Sequence, residues 1–328
     1  MQPLAIKYGT SSQRYLSEAS VCQIWKQTYI IVSQVTLEMT KRIKYLLLLL
    51  AFVIIVALVI YILSAVTFAD PNFEATIREE IEKPGGIIFA WDLKRLNYFG
   101  ASAREIVGIE GLEHCTNLRG LILWNNRVSD ISPLASLTKL ERLYIGKNII
   151  ADISPLASLT GLTELNLGIN RIQDITPLSA MTDLVWLDLW NNRITDISSL
   201  ASLTSLNTLY LNSNQMSDIS PLGSLTELTK LYLSDNEISD ITTLASLTEM
   251  RWLRLQGNEI TDLSPLSGLS ELEELWLQDN RISDILPLVE NKGLAAGDKV
   301  HLENNPLDQR SVSDFVPQLQ SRGVTVTW

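Results

Sequence analysis

A single 22-residue unit, repeated eight times without a gap, constrains the fold of this chain more than any other feature. Counting the first residue of each copy as position 0, apolar residues recur at positions 0, 3, 5, 10, 13, 16 and 19. Of these 56 places, 55 hold Leu, Ile, Val or Met, and the exception is Asn291. Such a fixed period indicates a solenoid, in which stacked coils share one continuous core. The copies begin at Leu118, Leu140, Leu162, Leu184, Leu206, Leu228, Met250 and Leu272.

The pattern within one copy predicts the course of each coil. Exposed and buried residues alternate from position 2 to position 6, which is the period of a strand with one face in the core. Stacked copies should therefore form a parallel sheet along the concave side. Asn at position 8 of every copy is expected to bond the backbone of the following turn. Asp at position 12 of every copy is expected to cap a tight helical turn, because single carboxylates per coil do not suit a calcium site.

The run L-x-x-L-x-L-x-x-N resembles the leucine-rich repeat. The longer form N-x-I-x-D-I-x-P-L-x-x-L resembles the 22-residue repeats of the internalin family of bacterial surface proteins. The resemblance covers residues 70–328 and implies a gently curved right-handed solenoid with tight convex turns and a protein-binding concave face. Nothing after the repeats resembles an immunoglobulin-like module or an L-P-x-T-G sorting signal. We therefore expect attachment at the N-terminus instead of host-cell adhesion through a C-terminal anchor.

The predicted fold class is α/β, a leucine-rich repeat solenoid with a parallel concave sheet and a helical N-terminal cap. The cap comprises residues 70–95, with Asp70 as N-cap and Phe73, Ile77 and Ile81 on one helix face. Residues 96–293 hold one degenerate repeat and the eight regular ones. Residues 294–328 form a C-terminal cap with a strand, a helix and a closing strand.

Residues 45–68 form an apolar segment without a charged residue, Gly or Pro, and its 24 residues can cross a bilayer. Lys41, Arg42 and Lys44 precede it and acidic residues follow it, so residues 1–44 are predicted to be cytoplasmic and the repeats to lie outside. We expect the segment to remain as a transmembrane anchor. The alternative is a signal sequence cleaved near Ala69, after which the protein is secreted. Translation starts at either Met1 or Met39.

Charge and cysteine content exclude several classes of function. The whole chain carries −11 and residues 1–44 carry +4, which leaves −15 for residues 70–328. An acidic solenoid repels phosphate backbones and argues against a nucleic-acid partner. Cys22 and Cys115 lie on opposite sides of the apolar segment, so no disulfide between them is expected. His114 and His301 lie at opposite ends of the array, and no catalytic, metal-ligand or phosphate-loop motif is present. We predict a non-enzyme without cofactor, metal or small-molecule substrate.

The residues free to differ between copies lie at positions 2, 4, 6 and 7, on the concave face. They include five of the eight tryptophans of the chain and all three tyrosines of the regular repeats. Aromatic residues are common in strands, but rings on a solvated face are typical of binding surfaces. Interleaved charges, among them Arg142 and Arg254, suit a protein partner. The predicted partner-binding aromatic residues are Trp124, Tyr144, Trp186, Trp190, Tyr210, Tyr232, Trp252 and Trp276.

Two other functions are compatible with this face. Tryptophan and tyrosine also stack on sugar rings, so binding of a glycan or cell-wall polysaccharide is the first alternative. The rings shift between positions 2, 4 and 6 from copy to copy, whereas a polysaccharide favours even spacing. The second alternative is a passive scaffold in the cell envelope, which predicts no affinity for any ligand. The sequence favours a protein partner.

Overall fold

The computed structural model describes residues 18–328, which divide between two units, Met1–Ser64 and Ala65–Trp328. The described part of the first unit is one long helix, α1 (Glu18–Leu63). By length and composition its span Cys22–Tyr61 is able to cross a membrane, and a signal sequence has the same properties. The apolar stretch predicted at residues 45–68 therefore begins well inside a longer helix and extends five residues beyond the end of that helix.

The second unit is a solenoid with a single parallel sheet of eleven strands in chain order. Each strand has three residues, and the middle residue pairs with the middle residue of the next strand, as Leu165 does with Leu187. This arrangement confirms the predicted leucine-rich repeat solenoid with a parallel sheet. The strands are β1 (Tyr98–Gly100), β2 (Gly120–Ile122), β3 (Arg142–Tyr144), β4 (Glu164–Asn166), β5 (Trp186–Asp188), β6 (Thr208–Tyr210), β7 (Lys230–Tyr232), β8 (Trp252–Arg254), β9 (Glu274–Trp276), β10 (Lys299–His301) and β11 (Thr325–Thr327).

Short helical segments complete the coils opposite the sheet. Tight 3₁₀ turns, such as Ser154–Ser158, follow the Ile or Leu at position 13 of each regular copy except the last. The last copy has an α-helix at the same place. The remaining α-helices belong to the two ends of the solenoid. In chain order the solenoid helices are α2 (Pro71–Glu80), α3 (Ala90–Leu93), α4 (Leu286–Glu290) and α5 (Val316–Ser321), the last directly preceded by a π-helical turn (Ser311–Phe315).

The core consists of the apolar positions of the repeat. All 55 Leu, Ile, Val and Met side chains counted in the sequence are buried. Asn291, which interrupts the pattern, is fully buried as well. Its amide donates to the carbonyls of Leu266 and Leu269 at 2.9 and 3.0 Å, and its Oδ1 accepts from Gly293 N–H. The polar side chain is tolerated because all of these hydrogen bonds are made inside the core.

The Asn at position 8 links each coil to the coil before it. The Asn192 amide donates to the carbonyls of Leu167 and Leu189, and its Oδ1 accepts from Ile172 N–H at 3.0 Å. The residue just before this Asn has a positive φ in every copy, for example 54° at Ile169. The ladder extends one coil beyond the regular repeats, because Asn305 makes the same set of bonds with Leu277, Leu302 and Ile282.

Both ends of the solenoid are covered. Asp70 Oδ1 accepts from Asn72 and Phe73 N–H and caps α2, which buries Phe73 and Ile77. The segment just before α2 also belongs to this unit, since the Val66 N–H donates a hydrogen bond to the Ile88 carbonyl at 2.8 Å. At the other end Arg322 donates to the carbonyls of Asn291 and Val289. These segments are structural caps of the kind that solenoids require.

Candidate binding surface

The concave surface is formed by the outward side chains of the eleven strands and of the residues just after them. In each regular copy, positions 2 and 4 are the first and third strand residues, and the Leu between them is buried. Position 6 lies two residues beyond the strand. Each position therefore forms a column across the sheet with one residue per strand, and neighbouring members are about 4.8 Å apart.

All ten predicted binding residues lie on this surface. Trp186 and Trp252 are in the position-2 column together with Arg142, and Trp124 and Trp190 are in the position-6 column. The position-4 column holds Tyr144, Tyr210, Tyr232, Arg254 and Trp276. The eight rings are half-buried, not freely exposed as the alternation of the strands suggests. Their partial burial comes from contacts with one another and with neighbouring side chains.

A row of rings crosses the middle of the sheet. Centroids of Tyr144 and Trp186 are 6.0 Å apart, and those of Trp186 and Tyr210 are 5.7 Å apart. Tyr210 and Tyr232 then stack nearly parallel, with centroids at 4.5 Å. Burial raises the pKa of Tyr210, and the neighbouring Tyr232 adds to this effect. The row is thus a packed array of aromatic side chains.

Arg254 continues this row toward the C-terminus. Its guanidinium carbon lies 4.8 Å from the Tyr232 ring centroid and 4.2 Å from that of Trp276, so the cation is held between two rings. Trp276 stacks in turn on His301 with centroids 5.6 Å apart. His301 was not among the predicted binding residues, although its place in β10 aligns it with Trp276.

A second cation contacts a ring beside this row. Lys230 Nζ lies 4.5 Å from the Trp252 ring centroid, and the Arg251 guanidinium lies 5.2 Å from the same centroid. Contacts of this kind are each worth about 0.5–2 kcal/mol, and they fix the position of the charge. Lys230 therefore belongs to the surface as well.

Two glycines accommodate the tryptophans of the position-6 column. The four successive residues of this column are Trp124, Gly146, Gly168 and Trp190. A Cβ atom on Gly146 would overlap the Trp124 ring, and one on Gly168 would overlap the Trp190 ring. Both indoles thus lean over the glycines between them. The sequence analysis did not single out these glycines, but their place in the repeat is a visible signal.

A buried carboxylate lies next to this group. Asp188 Oδ2 accepts from the Asn166 amide at 2.8 Å, and Oδ1 accepts from Trp190 N–H at 3.0 Å. Burial raises the pKa of Asp188 to about 6, although both hydrogen bonds act in the opposite direction. Tyr144 donates a hydrogen bond to Glu164, and burial together with this carboxylate raises the pKa of Tyr144 to about 12.

The convex side of the coils is uniform by contrast. The Asp at position 12 accepts, through Oδ1, a hydrogen bond from the N–H two residues later, at 2.8 Å in each copy; Asp174 and Thr176 are one such pair. This hydrogen bond lowers the pKa of Asp174. The column therefore serves the turns, but not as the predicted N-cap. The N-cap is the Ile or Leu at position 13, and the Asp just before it bonds the first N–H of the helical turn. Among residues 18–328 no three His, Cys, Asp or Glu side chains lie close enough to hold a metal ion.

The two cysteines lie in different units. Cys115 is buried in the core, and desolvation raises the pKa of its thiol to about 12. A thiol with so high a pKa is not a nucleophile at neutral pH. Cys22 lies on α1, in the other unit.

Comparison with known proteins identifies the repeat. The model described as "Leucine Rich repeats (2 copies)" matches at residues 116–158, 139–180, 182–222, 204–246 and 248–290, which together exceed half of the chain. Internalin C2 from Listeria monocytogenes is 31% identical over 74% of this chain and 94% of its own, with a TM-score of 0.52. The chain belongs to the internalin-type leucine-rich repeat family. Proteins of this family are typically non-enzymatic binding modules.

Two other structures show how widely the solenoid is used. The functional domain of the L. monocytogenes internalin InlJ shares the fold at 22% identity, with a TM-score of 0.52 over 79% of this chain and 66% of that chain. The ectodomain of the Arabidopsis thaliana receptor kinase GASSHO1/SCHENGEN3, solved in complex with CASPARIAN STRIP INTEGRITY FACTOR 2, is 25% identical with a TM-score of 0.55. The match covers 63% of this internalin-type chain and 26% of the plant chain. No curated protein sequence gives a significant match.

Proposed function

We propose that this internalin-type protein binds a protein partner on its concave surface. The single observation that carries the proposal is the continuous row from Tyr144 to His301, in which aromatic side chains and one arginine are packed against one another. A partner meets side chains that are already ordered, so binding costs little additional side-chain entropy. Aromatic and Arg residues are also the types that dominate protein interfaces.

The packing of the rings favours a protein over a polysaccharide. Sugar rings stack on free aromatic faces, but Tyr210 and Tyr232 use their faces for each other. Arg254 covers the other side of Tyr232 and one side of Trp276. The rings therefore present mainly edges and hydroxyl groups, which suit the mixed polar and apolar surface of a folded protein. The complex of the plant ectodomain with its factor supports a similar use of the fold.

Site-specific photo-crosslinking in living cells tests this proposal. A benzophenone amino acid placed at Tyr210 in the full chain should form a covalent adduct with a partner protein, whereas the same group at the exposed convex residue Ser220 should not. Adducts at both positions, or at neither, would contradict a concave protein interface. Glycosidase treatment that returns the crosslinked product to the size of the uncrosslinked chain would show that the partner is a glycan.

An aromatic variant provides the matching loss-of-function test. We expect Trp186→Ala, Trp190→Ala, Tyr210→Ala and Tyr232→Ala together to abolish capture of the crosslinked partner while the solenoid stays folded. The control replaces Trp91 and Trp328, which are exposed aromatic residues outside the concave row. Full capture by the concave variant would place the interface elsewhere.

We further propose that α1 anchors the protein in the cell membrane, with the N-terminus inside and the repeats outside. The segment just after α1 supports retention over cleavage near Ala69. Ala65 pairs with Phe89, Val66 is buried, and Phe68 packs on Phe73 with ring centroids 5.8 Å apart. Cleavage after Ala69 would remove these three residues from the solenoid and expose the apolar surface that they cover.

Fractionation of cells that express the chain with a C-terminal tag tests the anchor. The tagged protein should remain in the membrane pellet after alkaline carbonate extraction, and external protease should digest the repeats in intact cells. A shortened tagged product in the medium would instead identify α1 as a cleaved signal sequence. Protection of the repeats from external protease would contradict the predicted orientation.

A further inference from the structure

Two cations on the sheet lack a carboxylate partner. Four Lys or Arg residues occur in strands β1–β11, namely Arg142, Lys230, Arg254 and Lys299. Arg142 pairs with Glu164 and Lys299 pairs with Glu274, in both cases at 3.4 Å. Within the described chain, neither Lys230 nor Arg254 forms an ion pair or a side-chain hydrogen bond, and each is instead held against rings. The solenoid has many carboxylates, so the lack of an ion pair at both Lys230 and Arg254 distinguishes these two cations.

The environment of Arg254 prepares it for an anion. Its Nε atom is buried without a hydrogen-bond acceptor, between the rings of Tyr232 and Trp276. The guanidinium has therefore lost part of its hydration in the free protein, and its two rings restrict its rotamers. An arriving carboxylate displaces less water and orders less side chain than it would at a freely hydrated arginine.

The spacing of the two cations sets the spacing of the groups that bind them. Lys230 is the first residue of β7 and Arg254 is the third residue of β8, so they are diagonal neighbours in the sheet. Strand separation and rise place their Cα atoms roughly 8 Å apart. In an extended segment, side chains at i and i+2 point the same way and are roughly 7 Å apart. Two acidic residues at that spacing can therefore reach both cations together.

We infer that Lys230 and Arg254 form a subsite for an extended segment of the protein partner that carries Asp or Glu at positions i and i+2. This inference rests on the proposed function and adds the chemistry of the partner to it. Glu274, in the neighbouring strand β9, pairs with Lys299 and forms no ion pair with Arg254. Because the solenoid is strongly acidic overall, the partner should place these two carboxylates within a surface that is otherwise neutral or basic.

Two isomeric peptides of equal charge test the subsite. One fluorescently labelled peptide carries the order Glu-Ser-Glu between neutral flanks, and the other carries Glu-Glu-Ser between the same flanks. Binding to the full chain in detergent micelles is measured by fluorescence anisotropy at millimolar protein or peptide. We expect the i, i+2 peptide to bind several-fold more tightly, and Lys230→Gln with Arg254→Gln to weaken its binding roughly tenfold, which corresponds to about 1.4 kcal/mol.

Matched variants separate the subsite from general electrostatics. Replacing Arg119 and Arg281, which already pair with Glu141 and Glu259, by Gln removes the same charge and should leave peptide binding unchanged. Thermal unfolding followed by tryptophan fluorescence checks that each variant is folded, and Arg254→Lys should retain part of the binding if the double variant is unstable. Equal binding of both peptides, equal loss in both variants, or no binding of either peptide overturns the inference.

The remaining outcomes distinguish this inference from the proposed function. Tighter binding of oligogalacturonate or inorganic phosphate than of the i, i+2 peptide, with the same dependence on Lys230 and Arg254, would overturn the assignment to a protein segment. Persistence of the Tyr210 crosslink at full yield in the Lys230→Gln, Arg254→Gln variant would overturn the subsite and leave the concave interface intact. Absence of any Tyr210 crosslink in the unaltered protein would instead contradict the proposed function.

Discussion

The two faces of the solenoid are built from the same eight copies but follow different rules. On the convex face, Asp occupies position 12 in every copy and accepts the same 2.8 Å hydrogen bond from the turn. On the concave face, positions 2, 4 and 6 differ from copy to copy and make contacts of different kinds. Positions that repeat maintain the coil, and positions that differ are free to recognise a partner. Four predictions test or refine this contrast.

The largest effect is expected in the Asn ladder. Asn192→Ala removes a side chain that satisfies backbone groups of two coils. The Ile172 N–H then loses its acceptor, and the carbonyls of Leu167 and Leu189 each lose one of their two asparagine donors. We expect the free energy of unfolding to fall by about 3 kcal/mol. Urea unfolding followed by tryptophan fluorescence measures the loss. Arg193→Ala, on the exposed neighbouring position, is the control, and an equal effect of both changes would contradict a specific role of the ladder.

A smaller effect is expected where a concave residue is fixed by its neighbours. Gly168→Ala places a methyl group against the Trp190 indole, which must move. We expect a loss of about 1 kcal/mol, at the low end for overpacking because the ring is half-buried and can rotate. The indole emission spectrum should shift at the same time. Gly161→Ala serves as control, since its nearest atom, Leu140 O, would lie at 3.9 Å.

The buried carboxylate on the concave face should give the protein an unusual pH dependence. Burial raises the pKa of Asp188 to about 6, so the folded protein binds this proton more readily than the unfolded chain does. Stability should therefore increase as the pH falls from 7 to 5, by roughly 1 kcal/mol from this group. Carboxylates with lowered pKa, such as Asp70 and Asp92, lose their contribution only at lower pH.

Thermal unfolding at pH 7, 6 and 5 checks the sign of this dependence. The midpoint of the unaltered protein should rise across this range, and the rise should be absent in Asp188→Asn. Glu164→Gln is the matched control, because it removes a neighbouring carboxylate of the same surface while Asp188 stays in place. A midpoint that falls between pH 7 and pH 5 in the unaltered protein would contradict the assignment.

The smallest effect is expected on the convex face. Asp174→Ala removes a single hydrogen bond from an exposed turn, which seven further turns of the same kind surround. The thermal midpoint should fall slightly, by less than in Asn192→Ala, and capture of the concave partner should not change. Asp183→Ala, an exposed Asp outside the turn, should have no effect on the midpoint. Loss of partner capture in Asp174→Ala would place function on both faces.

The repeated parts of the fold could be predicted from the sequence because each residue pattern occurs in eight copies. The sheet, the buried leucines and the Asn ladder follow from positions that recur every 22 residues. The part of Asn305 in the Asn ladder was not predicted, because Asn305 follows Asn280 by 25 residues instead of the fixed period of 22. The end of α1 at Leu63 was also missed. Val66 and Phe68 are as apolar as the helix, but they pack in the solenoid, and hydropathy does not distinguish a lipid environment from a protein core.

The location of the candidate binding residues could be predicted from the sequence, but the contacts between their side chains could not. The alternation within each strand places all ten predicted residues on the concave surface. It does not reveal that the rings shield one another, because stacking depends on rotamers of residues one repeat apart. One signal was available: position 4 of successive copies reads Tyr210, Tyr232, Arg254, Trp276 and then His301 in the final strand. Cross-strand neighbours of these types attract one another.

Because every Asn of the ladder bonds both its own coil and the coil before it, the 22-residue unit is also the natural unit of change in this molecule. Loss or gain of one whole copy preserves the pattern of backbone bonds and core layers. It moves the concave residues of all following strands by one strand width, about 4.8 Å. Recombination between copies can therefore change the arrangement of concave side chains in discrete steps.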